Sequence, residues 1–145
     1  MANYCCATRT NYFHVKDPVA FKEFMNRVCA DEDAVDVWEE KDENGDTVFG
    51  FGCYGSILGV EPDGVENNED FDYDYEEFIQ GLSECVADDD AVIVMESGNE
   101  KLRYLVGSAL IVTSTDNDYY EIEAVAAKRA SEMLNNPSWK TRTNY

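Results

Sequence analysis

The residues able to do chemistry in this 145-residue chain are one histidine, five cysteines and 31 carboxylates. A nucleophile–base pair would have to combine His14 with Cys5 or Cys6, because an imidazole must accept the thiol proton to make it nucleophilic. His14 lies among Tyr12, Phe13 and Val15, where a lone histidine reads as a satisfied structural residue. Nothing around it matches a nucleophile motif, so no catalytic residue is assigned and the chain is read as not an enzyme. The cysteines are odd in number and irregularly spaced, Cys5, Cys6, Cys29, Cys53 and Cys85. Without C-x-x-C pairs they offer no zinc set and read as reduced, mostly buried thiols. Asp42, Asp46 and the glycine between them invite a calcium reading. An EF-hand loop needs Gly at its sixth position and Glu at its twelfth, whereas Gly45 comes fourth. No metal and no cofactor are expected. No glycine-rich phosphate cradle followed by Lys and no basic aromatic patch is present.

What remains is charge. Between Asp42 and Glu100 there are 18 of the 31 carboxylates and none of the 11 Lys and Arg. The flanks hold 13 acids and 11 bases, so nearly the whole formal charge of −20 sits in this central block. Crowded like charges destabilise a compact state by self-repulsion, so such a surface is expected to be presented to something. Phosphate recognition needs Lys and Arg, so nucleic acid is not expected to bind directly. The expected partner is a basic nucleic-acid-binding protein. Carboxylates one helical turn apart are about 5.4 Å apart along the axis. They approximate a row of phosphates, and a groove lined with Lys and Arg attracts them at long range. The bland alternative is a solvated face that serves solubility.

The elements that would position these acids follow from local pattern. Asn3 to Val15 reads as a strand. Asp17-Pro18 is an N-cap followed by proline at the first helical position, and the helix is expected to run to about Ala30 with Val19, Phe21, Phe24, Met25 and Val28 inward. Ala34–Lys41 and Thr47–Tyr54 read as a hairpin, Asn44-Gly45 favouring a type I′ turn. Gly55–Asn68 reads as a loop. Phe71, Tyr75, Phe78, Leu82 and Cys85/Val86 share one helical face, so Asp70 to Ala87 is expected to be helical. Its other side would carry Asp70, Asp72, Asp74, Glu76, Glu77 and Glu84. Ala91–Glu96 is a strand, Ser97–Glu100 a turn, Lys101–Ser114 a long strand, and Tyr119–Ile122 a short one. Glu123–Leu134 reads as a helix with Val125, Ala126, Ala130, Met133 and Leu134 inward. Pro137 stops it, and Trp139 is expected to anchor a short tail.

Together these predict one domain over residues 1–145, with an acidic loop–helix segment around 55–87. The fold class is α+β: an antiparallel sheet with about three helices packed mainly on one face. No signal sequence and no membrane span are read, so a cytoplasmic protein is expected. The partner-binding residues are expected to be Glu66, Glu69, Asp70, Asp72, Asp74, Glu76 and Glu77, with Phe71 and Tyr73 for apolar contact. Thr8-Arg9-Thr10-Asn11-Tyr12 recurs as Thr141-Arg142-Thr143-Asn144-Tyr145, too short a match to mark a duplicated unit.

Three stretches carry a resemblance: Ala2-Asn3-Tyr4 through Asp17, Glu100-Lys101-Leu102-Arg103-Tyr104-Leu105-Val106-Gly107, and Asn136-Pro137-Ser138-Trp139-Lys140. They resemble small acidic bacterial proteins carried on phages and conjugative elements. That resemblance implies an inhibitor of host defence, since acidic examples include anti-CRISPR and antirestriction proteins that imitate DNA. A CRISPR effector of the Cas9 type, which reads a short duplex motif with arginines, or a restriction enzyme would be the partner. Glu61 to Glu77 lie outside these stretches, so the expected binding surface rests on charge alone. The alternative is an acidic adaptor or regulator that binds a host protein through aromatic or sheet-edge contacts.

Overall fold

The computed structural model describes residues 4–61 and 73–142. The chain is α+β, as its pattern predicts. Six antiparallel strands form the main sheet: β1 (Cys5–Thr10), β3 (Asp36–Lys41), β4 (Thr47–Tyr54), β6 (Val92–Glu100), β7 (Tyr104–Val112) and β8 (Asn117–Glu121). Their spatial order is β3-β4-β1-β6-β7-β8. The first strand of the chain is therefore central, between β4 and β6. Two short strands, β2 (Val28–Ala30) and β5 (Ile57–Val60), pair separately. The helices are α1 (Pro18–Met25), α2 (Tyr75–Cys85) and α3 (Ile122–Met133). No helix among the described residues is long and apolar enough to cross a membrane.

One face of the sheet carries the core. Strand alternation puts Thr8, Thr10, Phe49, Phe51, Val92, Val94, Leu110 and Val112 on that face, and all are buried. Phe13 and Phe21 cross edge to face at 5.6 Å, and Phe51 meets Phe78 the same way at 6.2 Å. α1 contributes Phe21 and Met25, and α2 contributes Phe78 and Leu82. Burying an aromatic ring of this size stabilises the fold by about 1.5–3 kcal/mol relative to exposure. Thr10 is fully buried, yet its hydroxyl is satisfied: it accepts from the Phe51 amide at 3.0 Å and donates to the Asn11 carbonyl at 2.8 Å.

Several local expectations are corrected. α1 stops at Met25, because Val28 to Ala30 pair as β2 with β5. The stretch Gly55–Asn68 is not all loop, since it contains β5. Ser97–Glu100 belongs to β6, which continues to Glu100, and the turn into β7 falls on Lys101, the residue with positive φ. The β3–β4 connection is not type I′, which needs positive φ at both Asn44 and Gly45; only Gly45 has it. Gly45 N–H donates to Asp42 C=O at 3.0 Å and Asp42 N–H to Asp46 C=O at 2.9 Å, which closes a three-residue loop. None of the five cysteines is fully buried, and Cys5 is exposed.

α3 is rotated relative to expectation: Ala130 faces inward as read, but Val125, Ala126, Met133 and Leu134 do not. Its Ala127, Ala130 and Ser131 are half-buried, while Val125, Met133 and Leu134 are exposed. The small residues let the helix lie close on β7 and β8, and this leaves the larger apolar row outside. Trp139 is half-buried, as an anchor should be.

Candidate functional site

α2 begins where Asp74 exchanges backbone hydrogen bonds with Val60, at 3.1 and 3.0 Å. Gly59 makes this possible: its φ is +133°, and a Cβ there would lie 2.7 Å from the Asp74 carbonyl. Asp74 then caps the helix, Oδ1 accepting from the Glu77 amide at 2.9 Å. Gly81 faces the Phe24 ring, which a Cβ would overlap, so α1 and α2 approach closely and Phe24 stacks near Phe78. With Phe78 and Leu82 inward, the outer row of the helix is Glu76, Gln80 and Glu84, all exposed. The two glutamates are about 12 Å apart along the axis. Gln80 Nε2 donates to Glu84 Oε1 at 3.2 Å.

Of the expected binding residues, Glu66, Glu69, Asp70, Phe71 and Asp72 lie outside the described residues. The four others are gathered at the start of α2. Glu76 is exposed on its outer row, and Tyr73 is partly exposed just before the helix. Asp74 and Glu77 have structural duties instead: Asp74 is the cap, and Glu77 Oε1 accepts from Arg27 Nη2 at 3.0 Å.

The outer row of α2 leads into Asp88, Asp89 and Asp90. There a second acidic group arrives from far along the chain. His14 Nδ1 lies 2.7 Å from Asp90 Oδ2, and its Nε2 lies 2.7 Å from Asp42 Oδ2. The His14 amide also donates to Asp90 Oδ2 at 2.8 Å. The backbone holds the geometry: Val15 bridges Val86, and the Ala87 amide donates to the His14 carbonyl at 3.0 Å. Asp42 is fixed from its other oxygen, Oδ1 accepting from the amides of Asn44 and Asp46 at 2.9 Å each. The imidazole therefore clasps the β3–β4 turn to the α2–β6 turn.

A carboxylate at each ring nitrogen favours the protonated ring, in which both nitrogens donate. Hydrogen bonding to Asp90, then to Asp42, raises its pKa above the usual histidine value, and partial burial opposes this only weakly. The Asp42 carboxyl is lowered by the bond from His14 and by the Asp46 amide. Burial pushes Asp90 up, but the amide and imidazole of His14 outweigh it and its pKa falls. The histidine is thus a satisfied structural residue, as expected, but its partners are carboxylates and not the apolar neighbours beside it in sequence. No local signal could have found them, because Asp42 is 28 residues away and Asp90 is 76.

His14, Asp42 and Asp46 each place one potential ligand atom within 4.8 Å of the others. That is the beginning of a divalent-ion set. Both ring nitrogens are also engaged by carboxylates, and Asp42 Oδ1 by two amides. Lys16 meets the ridge at Asp88, 3.3 Å away.

The resulting surface runs from Glu76 along α2 to Asp88–Asp90, and across His14 to Asp42, Glu43 and Asp46. Asp42 and Asp90, 48 residues apart in sequence, are thereby brought to the two sides of one ring. No family model matches the chain, and no curated protein or solved structure matches it significantly.

Proposed function

We propose that this chain is a non-enzymatic protein inhibitor whose anionic edge occupies a basic groove built for nucleic acid. The target class is a defence nuclease, foremost a CRISPR effector of the Cas9 type. The observation that carries the reading is the convergence at His14. The α2 row and two acidic turns form one edge, and the clasp holds the turns in fixed register. Turns already held in register need less reordering on binding, so less of the attraction is lost to entropy. Charge of this kind chiefly accelerates encounter and makes affinity fall with salt.

The test is affinity of the purified chain for Cas9–guide complexes and for a panel of restriction nucleases, measured over a salt series. The expected result is tight binding at low salt that weakens steeply as salt rises. Replacing Glu43, Glu76, Glu84 and Asp89 together by Lys avoids the clasp and the cap, and should weaken binding by about two orders of magnitude. Binding that ignores this charge reversal in a folded variant sinks the reading. Should it also be lost in Tyr73→Ala, the adaptor reading, with aromatic contact as its basis, takes its place.

A further inference from the structure

The side of the main sheet opposite the core is bare over β1 and β6 and part of β7, whereas on β4 the Trp38 ring covers Gly52, which is buried. Register fixes which residues it shows: Ala7 and Arg9 of β1, Met95 and Ser97 of β6, Ala109 of β7. Across the four strands β4, β1, β6 and β7, no outward position on this side is Asp or Glu. Arg9 is the one charged residue there. In a chain of net charge −20 that is a selective omission, because an antiparallel sheet facing water ordinarily alternates apolar-in with polar-out.

α3 borders this bare area. Ile122 packs where a Gly107 Cβ would point, which puts the start of the helix on the same side over β7. Ile122 stays 65% exposed beyond that contact, and the outer row of the helix carries Val125 and Met133, 49% and 72% exposed, with Arg129 between them and paired to Glu132 at 3.3 Å. β7 and α3 belong to the less acidic part of the chain. Residues 1–100 hold 26 acids and five bases, whereas residues 101–145 hold five acids and six bases.

We propose that this face is a self-association surface. A second copy packs on it about a two-fold axis, with α3 of each copy covering bare strands of the other. Two arguments select a second copy as the occupant. Molecules this acidic repel one another wherever their carboxylates face, so they can meet only where the acids are left out. The size also fits. Three strands, β1, β6 and β7, about 4.8 Å apart and some seven residues long, present roughly 340 Å² of flat area. The outer stripe of α3 adds about 180 Å². Accessible area exceeds flat area, so the patch is of the order of the ~800 Å² per partner of a standard interface. The sheet edges are poorer routes. The Asn117 and Tyr119 amides, which face away from β7, donate to Asp116 and Asp118 at 2.8 Å each, and the β3 edge carries Asp36, Glu39 and Glu40. The anionic edge and this face are separate surfaces, so neither proposal depends on the other.

Sedimentation of the full chain from low micromolar to submillimolar concentration tests this. The expected result is a mass that rises from 16.4 kDa to twice that value, with association strengthened by salt. Salt weakens binding at the anionic edge, so the two surfaces respond oppositely. Met95→Arg and Val125→Glu should each weaken self-association at least tenfold, while Glu76→Lys should not weaken it. A monomer at every concentration overturns the proposal, as does a dimer that both substitutions leave intact. A measurement on the unmutated chain guards against variants that misfold. Cys5 is exposed and on this face, so its alkylation by N-ethylmaleimide should slow as protein concentration rises. A rate independent of concentration overturns the proposal.

Discussion

At the scale of the residue, His14 is the informative position. Its value lies in joining two turns that the chain order separates. The pH dependence follows from linkage. Raising a histidine pKa on folding contributes stability that is present below the unfolded value of about 6.5 and is lost as pH rises through the folded value. The lowered pKa values of Asp42 and Asp90 contribute stability that is present above about 3.9 and is lost as pH falls through their folded values. The gap in melting temperature between the native chain and His14→Gln should therefore be widest between about pH 4 and 6.5 and close on both sides. A gap that does not vary with pH would show that the bridge is not ionised as described. Gly81 is the second such position. Gly81→Ala pushes a methyl into the Phe24 ring, and the loss should be about 1–3 kcal/mol by denaturant unfolding, with the slope unchanged.

At the scale of the element, local signals were legible and long-range ones were not. Asp17-Pro18 marks the start of α1 because a cap and a proline act within one turn: Asp17 Oδ1 accepts from the Val19 amide at 3.0 Å. β2 and β5 escaped because three or four residues become strands only by pairing across some thirty residues of chain, here Val28 with Val60. The inner face of α3 was misread for a related reason. Periodicity shows that a helix has two rows but not which row the sheet will take, and here the alanine row packs. On α2 the expected buried side matches at Phe78, Leu82 and Val86, but Tyr75 is exposed and Phe71 lies outside the described residues; the helix starts at Tyr75, after its cap Asp74, and not at Asp70. Asp74→Ala should cost about 1 kcal/mol in unfolding free energy, and should cost more if the exchange with Val60 loosens as well. The acids of this helix were legible as a run. Their union with the turns at Asp42 and Asp90 was not, because it exists only once the strands are in place.

At the scale of the whole molecule, charge and fold oppose each other. A net charge of −20 works against compaction, and screening relieves it within about 10 Å at 0.1 M salt. Melting temperature should therefore rise between low and high sodium chloride, while affinity for a basic groove falls over the same range. Parallel behaviour of the two would mean that the acids are not the contact. The fold class was evident from alternating strand and helix patterns, since these depend on periodicity alone. The order of the strands was not, because nothing local says that the first strand will be an inner one.

That order bears on how the polypeptide is made. β1 needs β4 and β6 as neighbours, and its last partner, Val92 to Glu100, leaves the ribosome some ninety residues later. At ordinary translation rates of 5–20 residues per second the opening strand waits on the order of ten seconds with one side unpaired. Closing so distant a contact is slow, and a ribosome stalled before β6 would hold a nascent chain with a bare template for aggregation.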